Sequence, residues 1–428
     1  MRRAAALLVA AFAALPSTAA ARDLWTSKDG TKKVRLESAL KASWLLSHAP
    51  PDPLLAPEPD SAATLWRLRL EPHAEFNDWL HLDFAYEHRS RLATGTGGLG
   101  LGGGILPSDA APPWRIWAGD WKLVDLSPTF THRHEIDRAF VSIRHPRGTF
   151  TIGRQAIGWG RGVLFGAVDL FAPFSPLEVD REWRRGVDAF RGEVELHERL
   201  SLDVVAVLGA KLDTDKSAFV GRLRGYLGDF DGEVIFGRRA RDWVWGASAS
   251  AKVKDAEVHG EAALFATPGD GIDGGLFGTK GVVLKAVLGA SYLFPIGTGL
   301  IVFAEYHYSG FGLRDVPEAT SRLLDPSFGP AFGARLLRGD TQILGRHALA
   351  LVASYTVADA WAFSLTWIQS PADGSGLFTH GVTWTVSDAV TLAASVFLPY
   401  GEKPASGMLR SEYGASPISA FVQLRVYD

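Results

Sequence analysis

From residue 33 onward, apolar and polar residues alternate over runs of ten or more, and this period of two restricts the chain to strands whose two faces meet different surroundings. In the first run Val34, Leu36, Leu40, Ala42 and Trp44 share one face, and Arg35, Glu37, Lys41 and Ser43 share the other. The second sets Trp66, Leu68, Leu70 and Ala74 against Arg67, Arg69, Glu71, His73 and Glu75. A third, after Asn77-Asp78, sets Leu80, Leu82, Phe84 and Tyr86 against His81, Asp83 and Glu87. Strands of soluble proteins average about five or six residues. A tilted strand that crosses a bilayer needs about 9 to 11, with apolar side chains toward lipid and polar ones toward a lumen.

The same count predicts further strands near 134–145, 148–156, 187–196, 201–210, 217–228, 232–240, 243–253, 257–266, 281–294, 300–311, 342–356, 361–370, 376–386, 390–399 and 417–427. The expected fold class is therefore all-β, a transmembrane antiparallel β-barrel of about 18 strands, with 16 as the alternative. The connections alternate in length. Those after even-numbered strands are tight turns such as Asn77-Asp78, Lys254-Asp255, Ala358-Asp359 and Ser387-Asp388. Most after odd-numbered strands are long: 47–62, 93–133, 157–186, 267–280, 312–341 and 400–416. Segregation of loop length by parity is the mark of a meander with one short-turn rim and one long-loop rim.

Residues 1–21 begin Met1-Arg2-Arg3, continue as an apolar run to Leu15 and end in Ser17-Thr18-Ala19-Ala20-Ala21. That order reads as a secretory signal peptide, too short in its apolar part to span a membrane. The expected division is a signal peptide over 1–21, an N-terminal segment on the short-turn side over 22–32, and one barrel over 33–428. No later window approaches 18 consecutive apolar residues, although 47% of residues are hydrophobic, so any membrane crossing falls to strands. The absence of cysteine removes disulfides and thiolate metal sites from an exported chain, and a formal net charge of -3 excludes nucleic acid as an expected partner.

The glycine-rich stretch from Gly95 to Gly104 opens no helix and reads as a long-loop segment rather than a nucleotide cradle. Trp79, Tyr86, Tyr292, Tyr306, Tyr308, Trp361, Trp367 and Trp384 fall near strand ends, where amphipathic rings form interfacial girdles.

The segment between the fifth and sixth strands departs from this rhythm. It runs G-R-Q-A-I-G-W-G-R-G from Gly153 to Gly162, continues through Asp169-Leu170-Phe171-Ala172-Pro173-Phe174, and reaches Asp180-Arg181-Glu182-Trp183-Arg184-Arg185. A strand ending in G-R-Q, then W-G, D-L-F-x-P-F and D-R-E resembles Gram-negative outer-membrane channel families, general porins and alginate-export-like barrels among them. The resemblance implies a pore-forming barrel of the outer membrane, with short turns in the periplasm and the third external loop folded inward. Glycines let that loop leave the wall, and Phe165, Leu170, Phe171 and Phe174 can pack it. Arg154, Arg161, Asp169, Glu178, Asp180, Arg181, Glu182, Arg184 and Arg185 are then the candidates for a constriction that binds or selects solutes. A folded plug whose ion pairs are structural is the competing reading of the same residues. Arg35, Glu37, Lys41, Arg67, Arg69, Glu71, Glu75, Asp83, Glu87, Arg138 and Glu305 are the candidates for the lumenal lining.

No H-E-x-x-H or G-x-S-x-G motif is present, since His134-Glu135 is followed by Ile136-Asp137-Arg138. No enzyme activity is expected and no cofactor is implied. His132, His134 and Asp137 have the ligand types for a metal, but a solvated pair of histidines at a loop end accounts for them, so no metal is expected. The leading function is passage of solutes through a polar lumen. Export of an exopolysaccharide, or a plugged barrel serving as scaffold, receptor or lipid enzyme, are the alternatives. Expected partners are outer-membrane lipid and lipopolysaccharide, the barrel-insertion machinery, and a small solute or polysaccharide.

Overall fold

The computed structural model describes residues 22–94, 104–107, 113–117, 121–127 and 129–428. The segment 1–21 and Gly95 to Gly103 lie outside the described residues. In chain order the strands are β1 Arg22–Thr26, β2 Lys33–His48, β3 Asp60–Asn77, β4 Leu80–Thr94, β5 Trp121–Ser127, β6 Phe130–His145, β7 Gly148–Gln155, β8 Val187–His197, β9 Leu200–Val207 and β10 Ala218–Leu227. They continue as β11 Phe230–Arg239, β12 Asp242–Val253, β13 Ala256–Ala266, β14 Val282–Phe294, β15 Leu300–Ser309, β16 His347–Val357, β17 Trp361–Gln369, β18 Gly376–Ser387, β19 Val390–Tyr400 and β20 Ile418–Tyr427.

Among the described residues eighteen strands form the wall, all but β1 and β5. Each pairs antiparallel with its neighbours, β4 with β6 across the intervening β5. The last strand closes on β2, with Tyr427 opposite Ala39 and Ile418 opposite His48. Among the described residues closure leaves the eighteen-strand wall without an edge strand, which a bilayer demands because its core offers no water to satisfy backbone groups. The two extra strands are local. β1 folds back on the start of β2, so the segment expected over 22–32 carries a hairpin arm. β5 pairs with the first residues of β6 on the edge that β7 uses further along, at a level β7 does not reach.

The short-turn rim is built from tight reversals. Asn77 Oδ1 accepts from the backbone N–H of Trp79 at 3.1 Å and of Leu80 at 2.8 Å, the turn chemistry that makes Asn common there. Ala358 and Asp359 both take positive φ, 51° and 56°, matching the twist of a two-residue hairpin.

Outward positions carry Phe150, Ile152, Phe190, Val204, Phe236, Trp243, Trp245, Leu288, Phe363 and many like them, all exposed. An apolar belt of that extent has no place in water and is the surface a bilayer covers. Trp79, Tyr292, Trp361 and Trp384 stand exposed near the short-turn rim and Tyr306 toward the other; the Trp361 and Trp384 rings stack at 5.1 Å between centroids.

Three departures from the expected elements have local causes. The segment 93–133 is shorter as a loop because β4 runs to Thr94 and β6 begins at Phe130. The loop over 312–341 contains two helices, α1 Ala319–Leu324 and α2 Gly329–Leu337. The strand expected from 342 begins at His347, because the backbone N–H groups of Leu344 and Gly345 are taken by the Glu412 carboxylate, at 2.7 and 2.6 Å, instead of by a neighbouring strand.

Candidate functional site

The segment 156–186 leaves the wall after β7, crosses the interior and returns at β8. Its first anchor is apolar. Ile157, Trp159, Val168, Leu170 and Phe171 are buried together with Val205, Val220, Ile235, Val244, Ala263 and Phe265 of the inner wall. Trp159 Nε1 donates to Asp203 on β9 at 3.1 Å.

Its second anchor is a pair of carboxylates. Glu261 on β13 accepts from the backbone N–H groups of Arg161, Gly162, Ala167 and Val168, the last three at 2.8, 2.7 and 3.3 Å. Glu305 on β15 accepts from Val163, Leu164 and Phe165 at 2.5, 2.9 and 3.3 Å, and pairs with His259 at 3.1 Å. A carboxylate has about four acceptor positions, so two side chains satisfy a turn that would otherwise bury its amides unpaired. The turn is tight enough to require glycine: Gly160 has a φ of 104°, and a Cβ on Gly162 would collide with the Phe165 carbonyl. Phe165 stacks on His307 of β15, 4.6 Å between centroids.

The third anchor lies across the barrel, on β2 and β3. Asp180 accepts from Lys41 Nζ at 2.7 Å and from Arg67 at 2.9 Å. Glu182 accepts from Lys41 at 2.6 Å and from the Tyr427 hydroxyl at 2.7 Å. The Trp183 ring covers the same cations, with Lys41 Nζ 3.6 Å from its centroid and Arg67 and Arg69 near 5 Å.

The register explains why acids are held there. Arg425 lies opposite Lys41, Lys41 opposite Arg67, Arg67 opposite Arg89, and Arg89 opposite Arg133. Five cations thus form one rung across β20, β2, β3, β4 and β6. Like charges directly opposite one another destabilise a sheet, and Asp180 and Glu182 from the loop, with Glu87 and Glu135 from the wall, interleave among them. Arg67 binds Glu87 at 2.8 Å, and Glu135 receives Arg89 and Arg115. Burial opposes the ionisation of Asp180, but Arg67 and Lys41 outweigh it and hold its carboxyl below the ordinary value. For Asp169 the balance is reversed: burial raises its carboxyl above the ordinary value despite Arg184.

The nine residues expected at a constriction therefore separate. Asp180 and Glu182 meet the basic rung. Arg161 lies along the wall at β11 and β12, bound to Asp231 at 2.6 Å and Ser250 at 2.9 Å. Arg185 reaches Glu135 at 3.3 Å. Arg181 is spent on the carbonyls of Val163, Ser175, Pro176 and Glu178, and Arg184 on Asp169 and the Ala172 carbonyl. These two arginines and Asp169 hold the loop's own shape rather than facing a passage. Glu178 is partly buried, its carboxyl pushed up by that burial. Arg154 is a correction. It alternates with inward Gly153 on β7, pairs with Asp188 at 2.7 Å, and shares an outer hollow with Trp117, Ile136, Ile152 and Phe190, so strand parity carries it away from the lumen.

Arg35, Glu37, Lys41, Arg67, Arg69, Glu71, Glu75, Asp83, Glu87, Arg138 and Glu305 lie on the inner face. Arg138 does so through a bulge that also turns Asp137 inward, where Arg69 binds it at 2.8 Å and Arg138 at 2.6 Å. Sequence reasoning missed Glu261, His259, Asp203, Trp183 and the rung partners Arg89 and Arg425. Glu257, His259 and Glu261 alternate with Val258, Gly260 and Ala262, a parity signal available for reading.

The opposite arc is neutral. Ser354, Ser364, Gly381 and Ser395 are successive partners across β16 to β19, and Thr366 and Thr379 form the next rung. None of these is buried although all face inward, so the part of this arc toward the short-turn rim borders open space. Nearer the long-loop rim of the same strands Ala348, Ala350, Ile368, Leu377 and Phe397 are buried with Phe165 and Ala167 of the loop, and the arc from β8 to β14 is packed by it as well.

No protein-family model and no curated protein matches the sequence. Solved structures do match over nearly the full length. The chain is 9% identical to Acinetobacter baumannii OccAB1, with a TM-score of 0.56, covering 96% of this chain and 99% of that one. Against Pseudomonas aeruginosa OccK8 (OprE) the values are 8%, 0.54, 92% and 98%, and against Pseudomonas aeruginosa OccK11 (OpdR) 8%, 0.52, 96% and 99%. The fold is that of Gram-negative outer-membrane porins.

Proposed function

We propose that this protein is a porin-like channel of the Gram-negative outer membrane that passes small polar solutes. The reading rests on one observation: the segment 156–186 spans the barrel from Glu261 and Glu305 to Lys41 and Arg67, and on its far side leaves an unburied arc of Ser, Thr and Gly. A barrel of 16 to 18 strands is wide enough for an aqueous channel, and an inward loop reduces that width to the scale of a small molecule. Solutes move between the neutral arc and the loop, past the end of the basic rung at Arg425. The short-turn rim, where β2 begins and β20 ends, then faces the periplasm, and the long loops face outward.

Single-channel recording in planar bilayers tests this with the wild type and a deletion of Leu164 to Arg181. Stable channels that widen on deletion are expected. Silence from both proteins, with folding retained by circular dichroism, overturns the channel reading and leaves a plugged barrel.

A further inference from the structure

His88 on β4 and His132 and His134 on β6 form a group whose coordinating atoms all lie within 4.8 Å of one another. We propose that these three imidazoles bind a divalent transition cation, of which zinc is the best fit, on the outer face of the barrel wall.

The register brings them together. His88 is directly opposite His134, and His132 is two residues further along the same face, opposite Ser90. Asp137, the third ligand type visible in sequence, does not join them. It sits on the bulge, turned inward to Arg69, Arg138 and the Gly186 amide, and His88 takes its place. The rings are already close, with 4.3 Å between the centroids of His88 and His132 and 4.7 Å between those of His88 and His134.

The hydrogen bonds around the group leave ligand nitrogens unused. His134 Nδ1 is taken by the Tyr86 hydroxyl, and its Nε2 is buried with no partner among the described residues. His132 Nδ1 is held by Ser90 Oγ at 2.9 Å. A metal-bound imidazole is normally fixed in this way, by a hydrogen bond on its other nitrogen. Three imidazoles and one open position are the donor set of a zinc site that keeps water as its fourth ligand, and nitrogen donors without thiolate suit zinc, nickel and copper over calcium or magnesium.

The position keeps the site within reach of water. β7 pairs with β6 only as far as Ala139, and beyond that level β5 takes its place. His132 and His134 lie beyond it, on sheet that rises above the point where β7 leaves the wall. A cation there ties β4 to β6 where the connection 95–129 departs and returns. The site faces away from the interior, so it stands independently of the channel reading.

Zinc titration of the purified full-length barrel in detergent, followed by calorimetry, tests the proposal against single alanine variants of His88, His132 and His134. His347→Ala, which removes an imidazole elsewhere on the barrel, is the control. One zinc per chain is expected, with affinity falling at least about tenfold in each of the three variants and unchanged in the control. If a variant does not fold, copper-loaded wild type examined by electron paramagnetic resonance supplies the answer, since several equivalent nitrogen couplings are expected. Absence of binding, equal binding by all four variants, or a copper spectrum without nitrogen coupling overturns the site.

Discussion

Asp180 concentrates the electrostatics of the crossing loop in one side chain. It joins Lys41, which is fully buried, to Arg67, which is nearly so. Removing one partner of a buried ionic group costs about 3–5 kcal/mol because the others are left unpaired. Asp180→Asn should therefore loosen the far anchor while the barrel wall stays closed, and single-channel recording at neutral pH should give larger and noisier currents than the wild type. Identical traces would sink the idea that this carboxylate latches the loop. At the same scale, strand parity made the inner positions legible: Lys41, Arg67 and Glu87 alternate with lipid-facing residues and lie where alternation puts them. Arg154 was misread because its neighbours in sequence belong to the loop, whereas its side chain obeys the strand. Arg181 and Arg184 were illegible, since a guanidinium that binds backbone carbonyls looks the same in sequence as one that faces water.

Among the elements, the crossing loop and the long loops behind it depend on carboxylates that accept backbone amides. Glu261 and Glu305 take four and three of these respectively. A buried amide left without a partner costs about 1–3 kcal/mol, so the double variant Glu261→Ala/Glu305→Ala should release the loop. Protease cleavage near residues 162–168 is expected in the variant and not in the wild type; equal resistance counts against this anchor. Glu412, in the loop 401–417, clasps Leu344 and Gly345 in the same way, but burial pushes its carboxyl from 4.5 up to about 7, with Asp373 adding to the shift. The folded state then binds a proton that the unfolded chain releases between these values, so stability falls as pH rises from about 4.5 through 7. Amide exchange at Leu344 and Gly345 should accelerate over that range beyond the ordinary base-catalysed increase, and Glu412→Gln should abolish the excess. A variant with the same excess removes Glu412 from the account. The helices α1 and α2 escaped sequence reading because each is short and stabilised by what it packs against: Phe332 and Arg335 of α2 are buried, the latter bound to Asp242 and Asp340, both at 3.2 Å.

At the scale of the whole molecule, the strand number and the two rims were readable because a bilayer imposes period-two alternation, and a meander imposes loop parity, on every strand at once. What the interior contains was not, because it depends on contacts between residues more than a hundred positions apart, such as Lys41 with Asp180 and Phe165 with His307. Those contacts divide the interior into a part packed by the loop, along β8 to β14 and at the long-loop end of β16 to β19, and an open part toward the short-turn end of β16 to β19. The division is testable because the natural chain has no cysteine, so a single introduced thiol reports on its own position. Ser364→Cys, Thr379→Cys and Ser395→Cys, on small neutral positions that border open space, should react rapidly with a charged water-soluble thiol reagent. The attached group should also cut single-channel conductance. Val205→Cys, Val220→Cys and Ala263→Cys, buried beneath the loop, should stay unreactive until the protein is unfolded. Rapid labelling of both sets would mean that water runs on both sides of the loop, and the passage would then have to be relocated. Labelling of the neutral arc with no change in conductance would show that the open arc is a vestibule and that ions cross elsewhere.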